Sequence, residues 1–236
     1  MMQMVAYMGA ATFLRFQDLF NFGSKTGIDL PGENTGILHT TDSMGEAELA
    51  TSSFGQGFTC TMVQEAAAFC SVINGGYYYK PHVVSEIASD NGNTVQVFDK
   101  TLMRTTVSKR TSEMIKNALY ETVENGTGKA AQEAGYKIGG KTGTAEKLPR
   151  GGKERLVSFI GAAPLDDPQL VVYVVVDEAN AEDQGQSSFA STIASNIFSE
   201  ALPYLQIFPT EEVTETETTN ENTSDGSYDD QANEGA

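Results

Sequence analysis

Tyr136–Lys147, YKIGGKTGTAEK, is the stretch whose reading decides the fold. Its centre, Lys141-Thr142-Gly143-Thr144, sets an ammonium, two hydroxyls and a position without a side chain within four residues. Gly139 and Gly140 come just before it. On a strand, side chains alternate between faces, so Lys141 and Gly143 share one face and Thr142 and Thr144 the other. Glycine inside a strand often marks the close approach of a ligand or another backbone. At a sheet edge, such a strand can pair with an extended peptide and hold its carboxylate.

A second Lys-Thr-Gly, Lys25–Gly27, lies in FGSKTGIDLPGE ahead of Pro31-Gly32 and reads as loop. A lone Lys-Thr-Gly is most often a polar turn. The later copy differs in its setting, with a glycine pair before it, Thr144-Ala145-Glu146 after it and apolar runs downstream. Two of those runs read as strands. Arg155–Ala163 is one, and Leu170–Val176, LVVYVVV, is the other. The second lacks alternation, as expected for a strand covered on both faces. Asp166-Asp167-Pro168 is the turn between them.

Upstream, helical periodicity covers Met4–Phe20, with Val5, Met8, Phe16, Leu19 and Phe20 on one stripe. Asn21–Leu38 reads as loop. Thr61 and Gln64 fit a capping box that opens a helix with Met62, Ala66, Phe69 and Ile73 on its stripe; Asn74-Gly75-Gly76 ends it. Ser52–Gly57, just ahead, reads as a helix entry loop or as the wall of a cleft. KPHVVSEI and NTVQVF flank Ser89-Asp90-Asn91-Gly92 and predict a hairpin. A third helix spans Ser108–Asn125, with Ile115, Ala118, Leu119 and Val123 inward, and a fourth spans Ser187–Leu205, with Phe189, Ile193 and Ile197 inward. Gly126-Thr127-Gly128-Lys129 reads as a loop, because the spacing of a nucleotide phosphate loop is missing. Together these elements predict an α+β fold, an antiparallel sheet flanked by helices.

Composition narrows the function. The 236 residues suffice for one sizeable domain with or without a tail. A net charge of −17 argues against nucleic acid as a partner. Pro209–Ala236 holds nine Asp or Glu and no Lys or Arg, with few apolar residues, and is expected to be a disordered, solvated end. Cys60 and Cys70, about 15 Å apart if on one helix, are too far apart for a disulfide. His39 and His82 have no partner at metal-ligand spacing, so no metal or other cofactor is expected. The opening, MMQMVAYMGAATFLRF, lacks a basic leader and a sustained apolar core. Its start inside a helical pattern suggests a piece of something longer.

Six stretches carry a resemblance: FGSKTGIDLPGE (Phe22–Glu33), GEAELATSSFGQGFTCTMVQ (Gly45–Gln64), NGGYYYKPHVV (Asn74–Val84), ENGTGKAA (Glu124–Ala131), GGKTGTAEK (Gly139–Lys147) and SFIGAAP (Ser158–Pro164). In this order they resemble the C-terminal portion of a class B penicillin-binding protein, the peptidoglycan D,D-transpeptidase domain. K-T-G is one of the three signatures of penicillin-recognising serine acyltransferases, beside S-x-x-K and S-x-N. The resemblance implies a β-lactamase-like fold, truncated at its N-terminus. Residues 1–206 form the partial transpeptidase domain in this reading, and 207–236 the acidic tail.

The implied chemistry is a serine acyl-enzyme formed on the D-Ala-D-Ala end of a stem peptide, then passed to an amine of a neighbouring stem. By resemblance, Lys141 supplies positive charge and supports proton transfer. The Thr144 N–H is one oxyanion donor. The Thr142 hydroxyl holds the substrate carboxylate, and Gly143 leaves room for the substrate backbone. The implied partners are stem peptides, β-lactams and the cell-wall synthesis machinery. The implied place is the extracytoplasmic face of the bacterial membrane, reached through an N-terminal anchor that the chain lacks. The chain also contains no S-x-x-K. Ser89-Asp90-Asn91 matches S-x-N by letter, but a hairpin tip accounts for it. This chain is therefore expected to carry one wall of the site and to be inactive alone. The alternative is a non-catalytic module that binds peptidoglycan stem peptides.

Overall fold

The computed structural model describes residues 1–147, 149 and 151–211. In chain order come α1 (Met2–Met8), α2 (Ala10–Leu19), α3 (Glu46–Ser52), α4 (Met62–Ile73), β1 (Tyr77–Tyr79), β2 (Glu86–Ala88), β3 (Thr94–Val97), β4 (Leu102–Thr105) and α5 (Lys109–Glu124). A 3-10 turn at Lys129–Ala131 leads to β5 (Gly139–Glu146), β6 (Arg155–Ala163), β7 (Leu170–Asp177) and α6 (Ser188–Tyr204). The α+β expectation is borne out.

β5, β6 and β7 form an antiparallel sheet in that order, so β5 is an edge strand. The register sets Thr142 opposite Phe159, and Phe159 opposite Val174. One face of the sheet packs on α6 through Phe159, Ala163 and Val172 against Ala190, Ala194, Phe198 and Leu202. The other face packs Ala162 and Leu165 against Ile73 of α4 and Leu119 of α5. Near-continuous apolar sequence in β7 follows from this two-sided cover.

The glycine pair at the head of β5 is explained by these two layers. A Cβ on Gly139 would lie 2.4 Å from Leu165 Cδ2, and one on Gly140 would lie 2.3 Å from Phe159 Cζ. Each glycine therefore admits a core side chain on its own face. Gly161 and Gly128 complete the seat of the Phe159 ring, where an added Cβ would come within 2.6 Å and 3.4 Å of it. The sequence suggested ligand approach for glycine in this strand; for Gly139 and Gly140 the close neighbours are internal.

Several sequence expectations hold locally. Thr61 caps α4, with Gln64 N donating to its hydroxyl and Gln64 Oε1 accepting from Thr61 N. Ser89–Asn93 turns between β2 and β3 with Gly92 at φ 78°. Other expectations are corrected. The first helix is two, broken at Gly9 with φ 80° and ψ 155°. Ala118 is exposed, whereas Leu119 and Val123 face inward as expected and α5 also buries Ser112 and Lys116. The Lys116 ammonium reaches out to the Asp166 carbonyl and the Glu113 carboxylate, which is how a lysine stem packs inside. On α6, Ile193 and Ile197 are 43% and 40% exposed. The stripe one residue on, Ala190, Ala194, Phe198 and Leu202, takes the contact with the sheet instead.

At the C-terminal side, the Tyr136 hydroxyl donates to Ile207 O, and the N–H groups of Thr210 and Glu211 donate to Gly135 O. The rest of the acidic end, residues 212–236, lies outside the described residues.

Gly140→Ala is expected to lower unfolding stability by about 1–3 kcal/mol, because the added carbon overlaps a ring with no free space. Chemical denaturation measures it; a change below about 0.5 kcal/mol would contradict the packing described.

Candidate functional site

β5 brings Lys141, Thr142, Gly143 and Thr144 together on an edge of the sheet that is free among the described residues. Lys141 is exposed, and its Nζ folds back to donate to the Thr142 carbonyl. Among the described residues its ammonium forms no ion pair. Thr142 is buried, and its hydroxyl lies 2.8 Å from that of Thr127, in the loop after α5. A Cβ on Gly143 would come 2.5 Å from Ser158 Oγ on β6, an overlap that rotation of that hydroxyl relieves, because Ser158 Cβ stays 3.9 Å away. Thr144 is exposed.

The strand leads into a cleft. A cavity of about 390 Å³ lies between Thr51, Phe54 and Gln56 on one side and Thr144, Glu146 and Arg155 on the other. A neighbouring hollow of about 380 Å³ extends it along Ile37, Phe58, Thr59 and Ala145. Ser52–Gly57 thus closes α3 and also faces the end of β5, so its cleft-wall reading is the one the structure favours. α3 itself gave little signal, being seven residues long. This wall is fixed by the exchange of hydrogen bonds between Ile37 and Thr59, by Gln56 N to Thr51 O, and by Gly55 and Gly57 at positive φ. Glu146 faces Arg155 Nη2 at 3.7 Å and accepts from Gly151 N. Lys147 is held by Asp177 and Glu178, whose carboxylates raise its pKa.

The face of the sheet that carries Lys141 also carries Ile160 and Tyr173, its register partners. Beside Tyr173 lies an apolar groove of about 360 Å³, lined by Met62, Val63, Ala66, Ala67, Cys70 and Pro81. Cys60 donates from Sγ to Glu65 Oε2 at 3.7 Å at the start of α4. Burial, followed by the charge of Glu65, pushes the thiol up to about 12. Burial also raises the Glu65 carboxyl above its ordinary range and lifts the Tyr173 phenol to about 12. Both cysteines are free thiols.

The earlier Lys-Thr-Gly is loop, as its sequence predicted, and it holds a carboxylate from within the chain. The Thr26 hydroxyl and the N–H groups of Thr26 and Gly27 donate to Glu33. Burial would raise the Glu33 carboxyl, but these bonds outweigh it and hold the pKa below its usual value. Ser89-Asp90-Asn91 sits at its hairpin tip, between β2 and β3, in a sheet separate from that of β5.

The family model described as the penicillin binding protein transpeptidase domain matches residues 1–200. The chain belongs to that family. Stage V sporulation protein D of Bacillus subtilis (strain 168) is 41% identical over 206 residues, covering 86% of this chain and 32% of that protein. Among solved structures, penicillin binding protein 3 from Mycobacterium tuberculosis, complexed with aztreonam, superposes with a TM-score of 0.79 at 22% identity over 90% of this chain and 50% of that one. The TP domain of penicillin-binding protein 3 from Burkholderia pseudomallei gives 0.76 at 25% identity, over 89% and 62%. The fold of these domains is therefore the fold of this chain. The chain spans about a third of the length of the curated relatives it matches.

The buried carboxyl gives a pH prediction. A raised folded-state pKa means that Glu65 leaves stability intact below its unfolded value of 4.5 and lowers it as pH rises through the folded value. Glu65→Gln does not titrate. Its stability relative to the unsubstituted chain should therefore rise with pH above about 4.5, in denaturation series from pH 4 to 8. A difference that stays flat, or falls, would contradict it.

Proposed function

We propose that this chain supplies the Lys-Thr-Gly wall of a serine-type peptidoglycan D,D-transpeptidase, a penicillin-binding site that cross-links stem peptides. The observation that carries the reading is an edge strand bearing Lys141, Thr142, Gly143 and Thr144 beside a cleft, within a transpeptidase-family chain. An extended D-Ala-D-Ala end lies antiparallel to such an edge and adds a strand to it. The Thr142 hydroxyl donates to the terminal carboxylate. Gly143 keeps the strand free of a side chain where the substrate backbone passes. Lys141 brings a positive charge to the reacting end and supports proton transfer, and the Thr144 N–H donates to the oxyanion.

The bond made is between a serine oxygen and the penultimate D-Ala carbonyl carbon. The bond broken is the peptide bond to the terminal D-Ala, which leaves as an amine after taking up a proton. A second stem-peptide amine then attacks the ester, releasing the serine and closing the cross-link. A β-lactam enters by the same route and stays as the acyl-enzyme. The serine belongs to an S-x-x-K, which these 236 residues do not contain; the working protein in this proposal is the longer one. It acts at the extracytoplasmic face of the membrane, held there by a membrane anchor, together with the cell-wall synthesis machinery. Among the described residues no helix is long and apolar enough to cross a membrane.

Intact-mass spectrometry after incubation with benzylpenicillin tests this. The 236-residue chain should gain no adduct, and the longer protein carrying S-x-x-K should gain one penicillin. Lys141→Ala in the longer protein should slow acylation by about 10²- to 10⁴-fold, the range of a lost proton-transfer group. An adduct on the short chain, or undiminished acylation in Lys141→Ala, would overturn the assignment. Stem-peptide binding by a longer protein that never acylates would favour the non-catalytic module.

A further inference from the structure

The hydroxyl pair between β5 and the loop after α5 has a consequence for substrate binding. Thr127 Oγ1 and Thr142 Oγ1 lie 2.8 Å apart, and either can be the donor. Each hydroxyl has one proton and two lone pairs. An ionised carboxylate can only accept. Thr142 can therefore hold a carboxylate only by giving up its single proton to it. Once that proton is committed, the bond to Thr127 can run only one way, with Thr127 donating and Thr142 accepting.

Thr127 is placed for this by its neighbours. Gly128 is buried, and its N–H donates to Thr122 O at 2.9 Å, closing the chain over the end of α5. Its missing Cβ leaves 3.3 Å to Val123 Cγ2 and 3.4 Å to Phe159 Cε2. Phe159 is the residue opposite Thr142 across the sheet. The loop and the strand thus rest on one ring, and the two hydroxyls meet because their backbones share that support. Thr127 itself is exposed, whereas Thr142 is 8% exposed and has little freedom to find another partner.

We propose that Thr127 is a positioning residue for carboxylate recognition: its hydroxyl donates to Thr142 Oγ1 and so turns the Thr142 proton toward a ligand carboxylate on the free edge of β5. A chain of two hydroxyls ending on an anion also polarises each bond, which strengthens the terminal one. This inference rests on the transpeptidase reading, with Thr142 as the carboxylate contact. Its ligand class is an acyl donor, D-Ala-D-Ala or β-lactam, that carries a free carboxylate.

The test uses the longer, S-x-x-K-containing protein, with second-order acylation by benzylpenicillin and by its carboxylate-free methyl ester. Thr127→Val keeps the shape and removes the donor; Thr127→Ser keeps the donor. Thr127→Val should slow acylation by the acid about 5- to 10-fold, the worth of one hydrogen bond, and leave the ester rate unchanged. Thr127→Ser should stay within about twofold for both, the hydrogen bond being kept. In a Thr142→Val background, adding Thr127→Val should cost nothing more, because the effect passes through Thr142.

Equal losses for acid and ester would mean a structural role and overturn the proposal. So would an unaffected Thr127→Val, a Thr127→Ser as slow as Thr127→Val, or additive losses in the double variant. An unsubstituted protein that is never acylated overturns both this inference and the function it rests on. An acylated protein indifferent to Thr127 overturns this inference alone.

Discussion

The packing of one ring, Phe159, is the constraint on which the rest depends. The side chain is wholly buried at the centre of β6, and three glycines make its seat. Gly140 comes from the Lys-Thr-Gly strand, Gly161 from β6 itself, and Gly128 from the loop after α5. Interiors are packed at crystal-like density, so a methyl group at Gly140 or Gly161 has nowhere to go, and one at Gly128 would press on the ring and on Thr122 O. The same ring fixes the separation between β5 and the Gly126–Gly128 loop, and with it the contact between Thr127 and Thr142. Stability and site geometry are thus two results of one packing arrangement.

A second constraint is the open edge of β5. Unpaired strand edges invite association and are usually covered or blunted. Here the edge faces a cleft whose far wall, Thr51–Gln56, is a helix end and a loop rather than another strand. The loops that build the surroundings have little regular structure, yet side chains hold them firmly. Glu33 fills the first Lys-Thr-Gly, Asp29 accepts from the N–H groups of Val83 and Val84, and the buried Gln64 amide donates to the carbonyls of Ser24 and Thr35. Buried backbone groups need such partners where no ladder provides them. Gln64 also closes the capping box, so the start of α4 and the loop from Asn21 to Gly36 are set by one side chain.

What the sequence made legible was local. Thr61 with Gln64, Asn91-Gly92, and the apolar runs of β6 and β7 are signals whose partners lie within a few residues or whose pattern is dense. Other features depend on distant partners. β1 pairs with β4 across more than twenty residues, and neither strand is long enough to show a pattern. On α5 the sequence placed Leu119 and Val123 correctly, but on α6 it set the inward stripe one residue off, at Phe189, Ile193 and Ile197, whereas Ala190, Ala194, Phe198 and Leu202 meet the sheet and leave Ile193 and Ile197 outside. Lys116 is buried because its ammonium reaches a carbonyl, which no hydropathy pattern can reveal. For the site, Lys141, Thr142, Gly143 and Thr144 were legible as a motif. Thr127 was legible only as part of a glycine-flanked loop; its meeting with Thr142 required the fold.

The central claim is that the edge of β5 receives a carboxylate-ended acyl donor as an added strand. A crystal structure of the longer protein acylated by benzylpenicillin tests it most directly. The account predicts the ligand carboxylate within hydrogen-bond distance of Thr142 Oγ1, Thr127 Oγ1 still on Thr142, and the ester carbonyl oxygen against the Thr144 N–H. A penicilloyl group lying away from β5, with its carboxylate on other residues and Thr142 bonded only to Thr127, would contradict it.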